Sequence, residues 1–247
     1  MPPPFDTPHA STDANQLMAD APCTLTRAGI RCDLQGICAQ SRQPGRGRIR
    51  LARGQLLYAQ GDRVDHVFCV QHGCLKSVAV DADGVERVHA FHLPGELVGL
   101  DGLGASAYPA EVSAATSALL TALPLEALYT AAAQSSEDSR FLLGRLGRAL
   151  ARAHARAGDH PVDARIAAFL IDLRMRIDPQ GTSIDLPMPR RDIAAHLRIA
   201  PETVSRSLQR LSGTGLIRVS GRRLRFEDVQ ALTALGGALC TTASAAA

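Results

Sequence analysis

The chain has 247 residues, of which 46% are apolar but only 4% aromatic and none Trp, and its net charge is +3. That length suits one large or two small domains, and the core must be built mainly from Ala, Leu and Val. The longest uncharged apolar-rich run, residues 112–125, is too short to cross a bilayer. The first 21 residues lack the basic start and apolar stretch of a signal peptide. A cytoplasmic protein that does not enter a membrane is therefore expected, with its six Cys present as thiols or metal ligands rather than structural disulfides. The small net charge does not itself call for nucleic acid, but its distribution is uneven. Residues 164–247 carry 12 Arg against 7 acidic residues, and a basic C-terminal part on a slightly acidic body points towards nucleic acid.

In chain order, residues 1–45 read as a flexible arm that carries Cys23, Cys32 and Cys38. From Ile49 short apolar runs follow, at 56–58, 67–70, 75–80 and 88–93, separated by Gly61, Gly73, Gly84 and Gly95. Strands at near-regular spacing with Gly turns predict a small β-sandwich or barrel over residues 46–132. Pro124 starts a helix, and residues 137–157 form a longer one. Its apolar stripe of Phe141, Leu142, Leu146, Ala149, Leu150 and Ala153 predicts a seam between two copies of the chain. Packing of this helix, within residues 133–160, on its own β-domain is the alternative. A second compact unit is expected over residues 161–236, with a disordered tail over 237–247.

Residues 190–212 contain the informative pattern. Ile193, Ala194 and Leu197 share one face of a first helix, and Val204, Leu208 and Leu211 share one face of a second. Three residues, Arg198 to Ala200, join them, and Pro201 fits the first turn of the second helix, where its missing N–H costs nothing. This predicts a helix-turn-helix. The second helix presents Glu202, Thr203, Ser205, Arg206, Gln209 and Arg210 outward. Glu can accept from a cytosine amino group, Arg can clamp guanine and Ser can reach base or phosphate. After Gly215, an alternating strand, a Ser220-Gly221 turn and a second strand form a basic wing. Its Arg218, Arg222, Arg223 and Arg225 can reach phosphates. An ordinary helical hairpin with a solvated charged face is the competing reading, and Glu202 and Arg206 taken alone would fit it. The order helix, short turn, helix, basic hairpin favours double-stranded DNA.

Residues 45–235 resemble the Crp/Fnr family of dimeric bacterial regulators, and the Fnr branch fits best. The resemblance rests on Leu51-Ala-Arg-Gly-Gln-Leu-Leu-Tyr-Ala-Gln-Gly-Asp62, Gly73-Cys-Leu-Lys-Ser77, Phe91-His-Leu-Pro-Gly-Glu-Leu-Val-Gly-Leu-Asp101, Arg165-Ile-Ala-Ala-Phe-Leu170 and Glu202-Thr-Val-Ser-Arg206. It implies an α+β fold: an N-terminal β-roll resembling cyclic-nucleotide-binding domains, a long dimerisation helix and a C-terminal winged helix-turn-helix. It also implies a homodimer, half-sites resembling TTGAT read by Glu202, Ser205 and Arg206, and RNA polymerase as a partner.

The Fnr branch further implies an oxygen-labile iron–sulfur cluster on four Cys. Cys32 and Cys38 match two ligand positions, but Gly29 and Thr121 stand at the other two. A thiolate cluster normally needs four ligands, so a full cluster is not expected, although Cys23 and one of Cys69 or Cys74 are candidate substitutes. A thiol switch on Cys32 and Cys38 is the competing redox reading. Cyclic AMP is not expected: Gly95-Glu96-Leu97 resembles the start of a phosphate cassette, but Pro109-Ala110 stands where its Arg-Ser should fall, leaving the phosphate no guanidinium. Another small-molecule effector in the β-roll remains an alternative. A cupin-like metalloenzyme is disfavoured, because His89 and His92 are three apart on a strand and point to opposite faces. No catalytic residues are expected.

Overall fold

The computed structural model describes residues 47–80, 84, 86–155, 160–237 and 239–240. Cys23, Gly29, Cys32 and Cys38, and the arm expected over residues 1–45, lie outside the described residues.

Two four-stranded antiparallel sheets form the β-roll, in the orders β1-β8-β3-β6 and β2-β7-β4-β5. The strands are β1 (Arg48–Leu51), β2 (Leu56–Tyr58), β3 (His66–His72), β4 (Leu75–Val80), β5 (Glu86–His92), β6 (Leu97–Val98), β7 (Glu111–Ala114) and β8 (Ala118–Pro124). Strand alternation sorts their side chains. On β3, Phe68 and Val70 join Leu120 of β8 inside the roll. Val67 and Cys69 face the other way with Leu123, towards the helices that follow. The β3–β4 turn depends on Gly73, whose φ is +85° and where a Cβ would fall 2.2 Å from the Ser117 carbonyl oxygen. Any other residue would have to displace backbone there.

Helix α1 (Leu125–Gln134) starts directly after Pro124 and buries Leu128 and Ala131 on the roll. Ser135 then breaks the helical line, and the Asp138 amide donates to its hydroxyl at 3.1 Å. Helix α2 (Ser136–Ala155) runs on from there. The stripe expected at a dimer seam divides between two faces. Leu142 is buried against Val67 and Cys69 of the same chain's roll and Leu128 of α1, which removes it from the predicted seam, and Phe141 packs beside it half-buried. The open face carries Leu143, Leu146 and Leu150, which are 67%, 36% and 57% exposed, together with exposed Ala149 and Ala153. Positions 143, 146, 150 and 153 alternate steps of three and four, the spacing of a coiled-coil a/d seam.

The C-terminal unit contains α3 (Val162–Ile177), β9 (Ser183–Asp185), α4 (Arg190–Leu197), α5 (Pro201–Gly213), β10 (Ile217–Ser220), β11 (Arg223–Phe226) and α6 (Val229–Gly236). The wing sheet has the order β10-β11-β9. Ile166, Leu170 and Leu173 of α3 pack with Ile193, Leu208, Leu224 and Leu232 in one core. Packing continues past residue 236, where a disordered tail was expected. Cys240 is buried, and a Cβ at Gly236 would meet its sulfur at 2.3 Å. Residues 241–247 lie outside the described residues.

Candidate nucleic-acid interface

Helix α4 buries Ile193, Ala194 and Leu197 and ends at Arg198. Arg198, at φ 54°, is the one non-glycine residue with positive φ among the described residues. That left-handed residue turns the chain sharply enough for α5 to cross α4. Helix α5 opens on Pro201 and buries Val204, Ser207, Leu208 and Leu211. The opposite face leaves Glu202, Arg206, Gln209 and Arg210 exposed and Thr203 and Ser205 half-buried.

The polar side chains of this region fall into two groups. One group is already engaged. Arg210 donates from Nε and Nη2 to Asp163 at 3.0 and 2.6 Å, which fixes the far end of α5 to the start of α3. Ser207 donates to the same carboxylate. The hydrogen bonds from Arg210, helped by Ser207 and opposed by burial, hold the Asp163 carboxyl below the usual carboxylate range. In the wing, Arg218 and Arg225 share Glu227 at 3.2 and 3.6 Å. Arg223 donates to Ser183 Oγ at 3.2 Å, and Arg222 donates to the Leu186 carbonyl at 3.0 Å. Ser205 donates to the Pro201 carbonyl at 3.3 Å, and Arg190 donates to Ser205 Oγ at 3.5 Å.

The second group is unengaged. The side chains of Glu202, Thr203, Arg206 and Gln209 make no hydrogen bond or ion pair among the described residues. Glu202 and Arg206 are one helical turn apart without pairing, so an acceptor and a forked donor stand side by side on one open ridge. Sequence reasoning grouped Arg210 with these residues. Its bidentate engagement with Asp163 could not be read from spacing, because the two are 47 residues apart.

Within the roll, the register bears on the expected thiol site. Thr121 is the cross-strand partner of Cys69, and antiparallel partners present their side chains on the same face. Cys69 thus stands beside the position where the Fnr branch places a ligand. Its sulfur is fully buried, and the Gln71 amide donates to it at 3.6 Å. Cys74 belongs to a different core, and burial pushes its thiol up to about 12, which disfavours a thiolate ligand. The described residues contain no group of three or more His, Cys, Asp or Glu able to hold a metal. Among the described residues, Thr121 and the buried Cys69 thiol lie side by side at the roll's expected ligand position, and Cys23, Cys32 and Cys38 lie outside them.

An open helix-turn-helix with a basic wing, tied to a β-roll by a long helix, defines a DNA-binding transcription regulator. Residues 164–235 match the Crp-like helix-turn-helix domain, and residues 48–135 match the cyclic nucleotide-binding domain. The chain is 35% identical over 206 residues to the transcriptional activator protein FnrA of Stutzerimonas stutzeri, covering 78% of this chain and 81% of that one. It is 34% identical over 198 residues to the transcriptional activator protein Anr of Pseudomonas aeruginosa, with the same shares covered. The solved structure of FixK2 from Bradyrhizobium japonicum superposes with a TM-score of 0.71 at 27% identity, over 77% of this chain and 97% of that one. The chain belongs to the Crp/Fnr family, and it is a regulator rather than an enzyme. No helix among the described residues is long and apolar enough to cross a membrane.

Proposed function

We propose that the protein binds a palindromic operator with TTGAT-like half-sites as a homodimer, and that Glu202, Ser205 and Arg206 read the bases. The carrying observation is the unpaired state of Glu202 and Arg206, with Thr203 and Gln209 beside them, on the open ridge of α5, while Arg210 at its far end is tied to Asp163. A solvated helix face of the ordinary kind would let such a pair close on itself. Two copies meet through Leu143, Leu146, Leu150 and Ala153, which places two recognition helices on one two-fold site. DNA-bound dimers then act on RNA polymerase. Selection from a randomised palindrome pool tests the assignment: enrichment of TTGAT-like half-sites supports it, and enrichment of an unrelated sequence or of none refutes it.

The signal we assign is redox or oxygen-related, and it enters through thiols of the N-terminal arm rather than a four-thiolate cluster. The reading rests on Gly29 and Thr121 at two ligand positions and on Cys32 and Cys38 at the other two. Cys32→Ser should abolish any effect of oxidant on operator binding and leave binding by the reduced protein intact. Near-stoichiometric iron and sulfide in anaerobically purified protein would overturn it. Cys69, beside Thr121, would then be the roll's ligand, with Cys23 the candidate for the remaining position.

A further inference from the structure

Strand β5 is the edge of its sheet, and an edge strand offers unpaired carbonyls to any partner. Here the partner is the DNA-binding unit of the same chain. His196 of α4 hydrogen-bonds the Val88 carbonyl through Nδ1 at 3.0 Å. Arg176, at the end of α3, donates from Nη2 to the Phe91 carbonyl at 2.6 Å. Phe91 packs with Phe169 and His196 at ring-centroid distances of 6.1 and 5.1 Å. Lys76, the chain's single lysine, pairs with the buried Asp192 carboxylate at 3.2 Å.

At the centre lies a largely buried ion cluster. Arg176 clamps Glu96 with two bonds of 2.8 Å, from Nε to Oε1 and from Nη2 to Oε2. Its Nη1 donates to Asp172 at 2.7 Å. Arg176 and Glu96 are each only 14% exposed, and the Leu93 amide donates to Glu96 Oε2 at 3.0 Å. Glu96 lies in the Gly95-Glu96-Leu97 segment, the part that resembles a phosphate cassette. Its carboxylate is held by an arginine of the DNA-binding unit.

A buried ion pair adds little net stability over apolar packing, and its best-attested use is to fix one arrangement among several. The apolar core already runs from Val88 and Phe91 into Ile166 and Phe169, so attraction between the two units does not need the ions. What the ions add is register. Two fork bonds and two capped carbonyls define one docking position, which leaves the Glu202–Arg206 ridge facing out. We propose that the Arg176–Glu96 joint is the latch through which the β-roll sets the position of the recognition helix. With the latch closed, both recognition helices of a dimer are held for an operator. With it open, each winged helix moves about its tether and operator affinity falls, while base preference does not change.

This inference rests on the reading of the protein as an operator-binding dimer, and its test separates the two. Full-length Glu96→Gln, Arg176→Gln and the double variant are compared with the parent by hydrogen exchange and by DNA binding. The DNA is whichever palindrome the parent itself selects, so a wrong half-site assignment leaves this test standing. The expected result is faster exchange in residues 86–92 and 190–197 for all three variants, with exchange inside α5 and the wing unchanged. Affinity for the selected site should fall about 10-fold, with the same ranking of half-site sequences, and the double variant should match either single one. Exchange at the parent's rate in Glu96→Gln and Arg176→Gln would show that the pair holds nothing. Faster exchange with parental affinity would show that docking is not passed to the recognition helix. Either result overturns the proposal. Arg176→Lys guards against misfolding of the larger change: it keeps the charge but loses the fork, and it should fall between parent and Arg176→Gln.

Discussion

The winged-helix unit has two charged surfaces that behave in opposite ways. On the inner surface, Arg176 and Asp192 pair with Glu96 and Lys76 of the roll, all four with little exposure. On the outer ridge of α5, Glu202 and Arg206 stand one turn apart and unpaired. Intramolecular engagement marks charges that build the protein, and its absence on the open face of a helix marks charges that wait for something outside it. The wing is intermediate: its arginines are exposed yet loosely tethered, which suits phosphate contacts that position the protein without reading sequence.

The largest effect should come from the seam. Replacing Leu146 and Leu150 with Glu puts charge at two positions of the open α2 stripe and should give monomers by sedimentation velocity. Loss of the second half-site contact should cost roughly 100-fold or more in operator affinity. Leu142→Glu tests the division of the helix differently, since Leu142 faces the roll: it should destabilise the fold rather than the dimer.

The inner and outer charges should separate by what they damage. Asp192→Ala strands Lys76 in a largely buried place and should lower unfolding free energy by about 1–3 kcal/mol. Glu202→Ala should leave stability within about 0.5 kcal/mol and change only half-site preference. Equal destabilisation by both would erase the distinction between the two surfaces.

Acidity probes the inner surface again. His92 hydrogen-bonds Ser77 at 2.6 Å. Burial, together with Arg176 and Arg152 and against Glu96, pushes it down from 6.5 to about 4. The unfolded chain therefore takes up a proton near 6.5 that the folded chain refuses until about 4. The stability that depends on neutral His92 is complete above that upper value and declines on acidification towards the lower one. Chemical denaturation across this range should show the decline, and His92→Gln should flatten it. Glu96, raised by burial but pulled down more strongly by Arg176, with Arg152 and the Leu93 amide, reaches about 2. Its stabilisation is lost later on acidification, from its ordinary 4.5 towards about 2. The smallest effect is expected in the wing: Arg222→Ala should weaken binding to all sequences evenly and reduce the salt slope by about 1.

The helix-turn-helix was legible to the residue, because its signals are local: Pro201 at a helix start, three joint residues and two apolar faces of known period. Strands β2 to β5 of the roll were legible through their Gly turns, whereas β1, β6, β7 and β8 were covered only by the bounds of the domain. The seam was half legible. A helix with apolar residues on two faces shows its period in sequence, but the period does not say which face meets the roll and which meets another copy. Leu142 therefore went to the wrong face, and exposed Leu143 was not singled out. Arg176 and Glu96 are 80 residues apart, and Cys69 meets Thr121 only through strand register. Neither pairing leaves a periodic trace.

The central claim is that α5 reads bases through Arg206. The most direct measurement is the affinity of parent and Arg206→Ala dimers for a TTGAT palindrome and for the same palindrome with its guanines replaced. The account predicts that Arg206→Ala costs roughly 1–3 kcal/mol on the intact site and largely loses the distinction between the two DNAs. If Arg206→Ala weakens both DNAs equally and keeps the parent's discrimination, Arg206 does not read the guanine and the account is wrong.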